Sequence, residues 1–394
     1  MDIGSPRLDR AKLTHVGGRD KGGLVALVTA FGLLAWEAGV AGNPHEQTPA
    51  PEEVRPYLDR SLQPYVPCGV VTGARNGSAP AILPDLVGRW ASAFQSRHPD
   101  SRIRVSPPYA GPQGRISRSL REFLAGDRDF AFMTRELMAS DLSAFRRAHG
   151  GKRPIVIHVA MGSFRHFGFV DTLVLVVHPA NPIEGLTYRQ IDGIYSALRL
   201  RGHPPVETWG DLGVSRPPWN NRPLIALGGG RPGMDDSAKA AVVRHRILQV
   251  GDLESGWSDR RQIETHDDDD VPDRVARIPG AIGITALGHV RSPVKVLAIA
   301  DSETGSGVLP TQENVYAGRY PLTRTIDLLA VPSAEGRIDP LLGEWVRFVL
   351  SREGQAIVLE QGVFLPLSGM FSQRAIEQLD RVDGSACRSG AAPD

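Results

Sequence analysis

The chain has 394 residues, of which 41% are hydrophobic and 23% charged, with a formal net charge of +1. That length can bury a substantial core and suits two domains better than one. The balanced charge argues against a nucleic-acid-binding surface, which normally shows as a basic excess.

Arg7, Arg10, Lys12, Arg19 and Lys21 precede the apolar run 23–36, and Ala38-Gly39-Val40-Ala41 offers small residues at a cleavage point. The pattern predicts a secretory signal peptide over residues 1–41. The run is short for a membrane span, so an uncleaved anchor is the alternative. No cysteine lies near the cut, which argues against a lipid anchor, and the expected location is periplasmic or secreted. Residues 42–65, rich in Pro and Glu, read as a linker. Cys68 and Cys387 either join as a disulfide, as export favours, or remain two thiols. No Cys or His spacing resembles a zinc site.

Val70-Val71-Thr72 is expected to begin the first strand, with 73–78 as a turn and an amphipathic helix over 80–97 carrying Leu83, Leu86, Val87, Trp90 and Phe94 on its apolar face. Strands are predicted at 102–105, 129–133, 155–157 and 173–177, helices at 116–125 and 188–196, and turns at 109–114 and 208–212. Then comes the most informative stretch. Leu224-Ile225-Ala226-Leu227 reads as a buried strand broken by Gly228-Gly229-Gly230, followed by Arg231, the capping residues Asp235-Asp236-Ser237, and a helix over 238–250. A small-residue turn opening a helix beside a fixed cation suits an oxyanion. A capped helix after a surface turn is the plainer alternative. His266-Asp267-Asp268-Asp269-Asp270 lacks the alternation of a calcium loop and reads as a solvated turn and cap. A turn into a strand over 279–284, strands at 294–298 and 325–331, a helix over 340–350 continuing towards 356, a segment at 363–367 that closes the fold and a tail over 373–394 complete the reading.

Ala180-Asn181-Pro182, Ile194-Tyr195-Ser196, Thr208-Trp209-Gly210-Asp211-Leu212, Pro279-Gly280-Ala281-Ile282-Gly283, Pro310-Thr311-Gln312-Glu313-Asn314-Val315, Tyr320-Pro321-Leu322 and Ser351-Arg352-Glu353-Gly354-Gln355-Ala356-Ile357 follow one another in order. With these pieces the chain resembles the phosphate-binding periplasmic proteins of ABC-type phosphate importers, the PstS-like family, from about 70 to 367. The resemblance implies an α/β, periplasmic-binding-protein-like fold with two lobes joined by two crossover strands (type II). Lobe 1 would hold 66–172 and 320–372, and lobe 2 would hold 173–319. It further implies a non-catalytic monomer without cofactor that delivers inorganic phosphate, or a similar oxyanion, to an ABC permease in the inner membrane.

Three loops and a strand end would hold the anion. In the first loop either Ser78 or Asn76 supplies the contact, unless Ser78 only caps the next helix. In the second, Pro112 stands where relatives carry a serine, which removes a hydroxyl and an N–H, and Gln113 with Gly114 partly replaces it. A strand end offers Thr134 and Arg135, where relatives place Ser-Arg or Ser-Asp. In the third loop Arg231, Ser237, Ala238 and Lys239 stand at the cradle, with lysine in place of a hydroxyl. Two rival readings remain. One is a diverged sensor or secreted interaction protein for another ligand, favoured by Pro112 and Lys239. The other is a secreted serine hydrolase using Ser237, for which no Gly-x-Ser-x-Gly elbow exists.

Overall fold

A computed structural model describes residues 57–106, 116–166, 168–228, 238–250, 262–263, 270–291 and 293–383. The expected signal peptide therefore lies outside the described residues. So do Gln113, Gly114, Arg231, Ser237, Cys387 and the segment His266 to Asp269.

The first half of the chain builds a five-stranded sheet. It begins β1 (Gly73–Ser78), α1 (Pro84–Gln95), β2 (Ser101–Val105), α2 (Ile116–Leu124), β3 (Phe130–Met133), α3 (Ala139–Ala148) and β4 (Ile155–Met161). One late strand, β12 (Thr325–Ala330), returns to it, giving the order β2-β1-β3-β12-β4. β1 runs parallel to β2 and β3, whereas β12 is antiparallel to both β3 and β4. The period-2 alternation of β3 sends Phe130 and Phe132 to one face and Ala131 and Met133 to the other. The first face meets Trp90 of α1 and Trp345 of α8 (Pro340–Leu350); the second meets Phe123 of α2 and Phe145 of α3.

The middle of the chain forms a second sheet. Its elements are β5 (Leu173–Val177), β6 (Gly185–Thr187), α4 (Tyr188–Tyr195), β7 (Ile225–Leu227), α5 (Ala238–Val242), β8 (Gln262–Ile263), α6 (Asp270–Arg277), β9 (Ala281–Ala286), β10 (Lys295–Val296), β11 (Ala298–Ala300) and α7 (Gln312–Tyr316). The strand order is β10-β5-β9-β7-β8, with β11 paired to β6 in a separate two-stranded sheet. α4 starts at a reciprocal capping box, with Gln190 N donating to Thr187 Oγ1 at 3.2 Å and Thr187 N donating to Gln190 Oε1 at 2.9 Å. This is the two-lobed α/β architecture, with residues 162–172 and 317–324 running between the two sheets.

Several expectations shift against the structure. The first strand is 73–78, not 70–72, because Gly73 to Gly77 pair with Ser101 to Val105 while Val70 stays 88% exposed. Residues 57–65 of the expected linker are packed: Leu62 is buried, and Gln63 O accepts from Arg352 N at 2.8 Å. The expected helix over 238–250 is α-helical only to Val242 and widens into a π-helical turn over Val243–Ile247. The expected strand at 294–298 splits between β10 and β11, two different sheets. The helix at 340–350 does not run on. Ser351 turns extended, takes Gly354 N on its hydroxyl at 3.3 Å and caps a separate helix, α9 (Arg352–Gln361). The expected tail over 373–394 begins inside a further helix, α10 (Gly369–Val382), whose Ser372, Ala375 and Leu379 are buried.

Candidate functional site

Parallel neighbours end at the same sheet edge, so β1 and β3 deliver Ser78 and Thr134 to one carboxyl edge, with Ser78 in register with Ala131, three residues before Thr134. Both are buried, 2% exposed each. Antiparallel β12 brings its opposite, amino-terminal end to this edge, since Asp327 pairs with Met133. Arg324, three residues earlier, is also buried, and its Nη2 donates to Thr134 O at 3.1 Å. The second sheet mirrors this. β7 and β9 are parallel and β5 is antiparallel to β9, so β5 enters at the edge where β9 ends, with Leu173 opposite Ala286. Both chain crossings thus lie at carboxyl edges, which places the cleft between them.

Not every predicted residue reaches this edge. Asn76 sits within β1, where its N–H donates to Asp129 Oδ2 at 2.7 Å and its C=O accepts from Asp129 N at 2.9 Å. Ser78 ends the strand, and helix α1 has Leu83 as its N-cap, so Ser78 does not cap it. Arg135 is committed within its own lobe. Its guanidinium pairs with Asp141 at 2.6 and 3.2 Å and donates to Glu136 O at 2.7 Å, with both side chains nearly buried. Asp141 also accepts Met138 N at the start of α3. A charge-assisted fork of this kind is strong, and it fixes the loop after β3. In the second lobe, Ala238 opens α5 and Lys239 beside it is buried. β7 gives way at Gly228, which has φ +74, and a Cβ there would stand 2.3 Å from Ile284 O. Only glycine fits that position.

Three further side chains lie near this edge. Arg324 precedes a strand and carries no motif. Glu136, directly after Thr134-Arg135, pairs with Arg246 from the π-helical turn. His158 on β4 shares a 2.6 Å hydrogen bond with Asp327 of β12. That bond holds the imidazole above its ordinary pKa; burial opposes the shift, and the charge on Asp327 reinforces it. Among the described residues, no cluster of His, Cys, Asp and Glu is arranged to hold a metal ion, and no helix is long and apolar enough to cross a membrane. Cys68 is disulfide-bonded.

Residues 84–353 match the PBP superfamily domain. The chain belongs to the PBP superfamily. The phosphate-binding protein PstS of Pseudomonas aeruginosa is 28% identical to this member over 323 residues, 82% of this chain and 92% of that protein. The phosphate-binding protein PstS 2 of Streptococcus agalactiae is 30% identical over 101 residues, 26% of this chain and 31% of that protein. An ABC-type phosphate transport receptor from Vibrio cholerae aligns in three dimensions with a TM-score of 0.47 at 17% identity, covering 75% of this chain and all of that one.

Proposed function

We propose that this PBP-superfamily protein is an exported, non-enzymatic receptor that holds inorganic phosphate between its lobes for an ABC importer. The observation that carries this reading is the match to PstS of Pseudomonas aeruginosa, which runs through both sheets and nearly the whole of that relative. The lobes are read as 66–172 with 320–372, and 173–319, and the working form as a monomer. The ligand oxyanion meets the hydroxyls of Ser78 and Thr134 at adjacent strand ends, with Arg231, Ser237 and Lys239 from lobe 2 and Gln113 and Gly114 from the second loop. Arg135 is held in place by its pairing with Asp141, and Arg324 supplies a second lobe 1 cation. Its bond to Thr134 O fixes the strand end and places positive charge behind it. An anion that touches both lobes favours closure, because only differential affinity for the closed form shifts that equilibrium.

Calorimetry tests this directly. Phosphate should release heat and bind this protein at micromolar concentration or below, while sulfate should bind more weakly. Arg324→Met should weaken phosphate by roughly tenfold to a hundredfold, the usual worth of one hydrogen bond to a charged group. No heat with phosphate would overturn the reading; unchanged affinity in the variant would remove Arg324 from the site.

A further inference from the structure

One guanidinium connects the two lobes beside the candidate site. Arg246 lies in the π-helical turn 243–247, and turns of this kind commonly mark functional positions. Its backbone belongs firmly to lobe 2. Arg201, which follows α4 and lies over the Tyr188 ring at 5.1 Å, donates through Nη2 to Arg246 O at 2.6 Å and through Nε to Ile247 O. The Arg246 side chain leaves that lobe. Nε pairs with Glu136 Oε1, in the lobe 1 loop that begins with Thr134. Nη1 donates to Thr323 O at 2.6 Å and Pro321 O at 3.3 Å, both on the returning crossover. Tyr188 of lobe 2 holds the same crossover, its hydroxyl donating to Pro321 O at 3.0 Å.

Glu136 has little else to hold it. Its Oε2 is buried and accepts no hydrogen bond from any described residue. The two side chains are 27% and 18% exposed, so solvent screens the pair less than it would a surface bridge. Opening the lobes would pull Arg246 away from Glu136 and leave that carboxylate without a cation among the described residues.

We propose that Glu136 and Arg246 form a latch that favours the closed form, with Glu136 acting as a positioning residue for the Thr134 strand end. The latch acts without ligand and does not rest on phosphate being the cargo. In the ligand-free state it raises the fraction of closed molecules, and apparent affinity scales with that fraction.

The test uses the full exported chain. Small-angle X-ray scattering of ligand-free protein should give a larger radius of gyration for Glu136→Gln and for Arg246→Gln than for the parent. The double variant should be no more open than Arg246→Gln, because once the guanidinium is gone Glu136 has no pair left to lose. Arg246→Lys, which keeps the charge and loses the fork, should fall between parent and Arg246→Gln and serves where the glutamine variant does not fold. Inorganic phosphate should bind each single variant about tenfold more weakly, and the double variant no more weakly still. Unchanged ligand-free scattering in folded single variants, or additive effects in the double variant, would overturn the latch. Should the parent fail to bind phosphate, the proposed cargo falls while the scattering comparison still decides the latch.

Discussion

Thr134 at the end of β3 was legible because a strand followed by a polar break announces its own carboxyl edge, whereas Ser78 was expected in a turn and instead ends β1. The ion pair of Arg135 was not legible either. Its partner Asp141 lies six residues on, in a helix without a strong apolar period, and the fork between them forms only when the chain turns back after β3. Arg324 was silent for a related reason, since antiparallel pairing alone brings it beside Thr134. His158 gives this scale its prediction. The hydrogen bond to Asp327 raises the folded imidazole above the unfolded value of about 6.5. Arg246 opposes that shift and Glu136 supports it more weakly. A raised folded pKa means that the folded state binds the proton more tightly. The stabilisation is therefore complete below about pH 6.5 and is lost as pH climbs through the raised value. Urea midpoints of the parent and of His158→Gln should differ most near about pH 6 and converge in alkaline buffer. A difference that grows with pH would contradict this assignment.

Elements with buried apolar runs could be read directly, and 173–177 is the clearest case: all five residues of β5 are buried. β1 defeated the same logic. Gly-Ala-Arg-Asn-Gly-Ser has no strand pattern, and it becomes a strand in the slot between β2 and β3, where a Cβ at Gly77 would stand 2.2 Å from the Phe130 ring. At the C-terminus the sequence suggested a tail from 373. Helix α10 instead packs on the first sheet and on α8, with Ser372 Oγ donating to Leu350 O at 2.7 Å and Arg347 pairing with Asp380 and Asp383 at 2.9 and 2.8 Å. Polar residues on its outer face diluted the apolar period that Ala375 and Leu379 provide. If α10 is part of the fold, Leu379→Ala should destabilise by about 2–5 kcal/mol, as truncation of a fully buried leucine does. Chemical denaturation reads this, and a loss below about 1 kcal/mol would return the segment to the status of a tail.

At the scale of the molecule, the two-lobed plan followed from the ordered motifs, whereas the way the lobes adhere did not. Their sheets do not have separate interiors. A single apolar cluster runs from Trp90, Phe132 and Trp345 around the first sheet, through Tyr320 and Leu322 of the returning crossover, to Leu175, Trp209 and Ile284 around the second. Tyr320 strengthens the join with a hydroxyl that donates to Leu173 O at 2.9 Å. Smaller clusters cover the far faces, Phe123 with Phe145 in one lobe and Val271 with Val275 in the other. A core continuous through the hinge makes it costly for one lobe to unfold while the other stays intact, because the crossover residues would lose their contacts with the unfolded lobe. The lobes should therefore unfold together. Tryptophan fluorescence can separate them: in protein cleaved after Ala41, changing Trp209, Trp219 and Trp257 to Phe leaves Trp90 and Trp345 as lobe 1 reporters, and changing Trp90 and Trp345 instead leaves reporters in lobe 2. Coincident urea midpoints are expected, once each variant's own stability is matched by circular dichroism. Two separated transitions would mean that the cluster is divided at the crossover, and that closure is a movement between independently stable bodies.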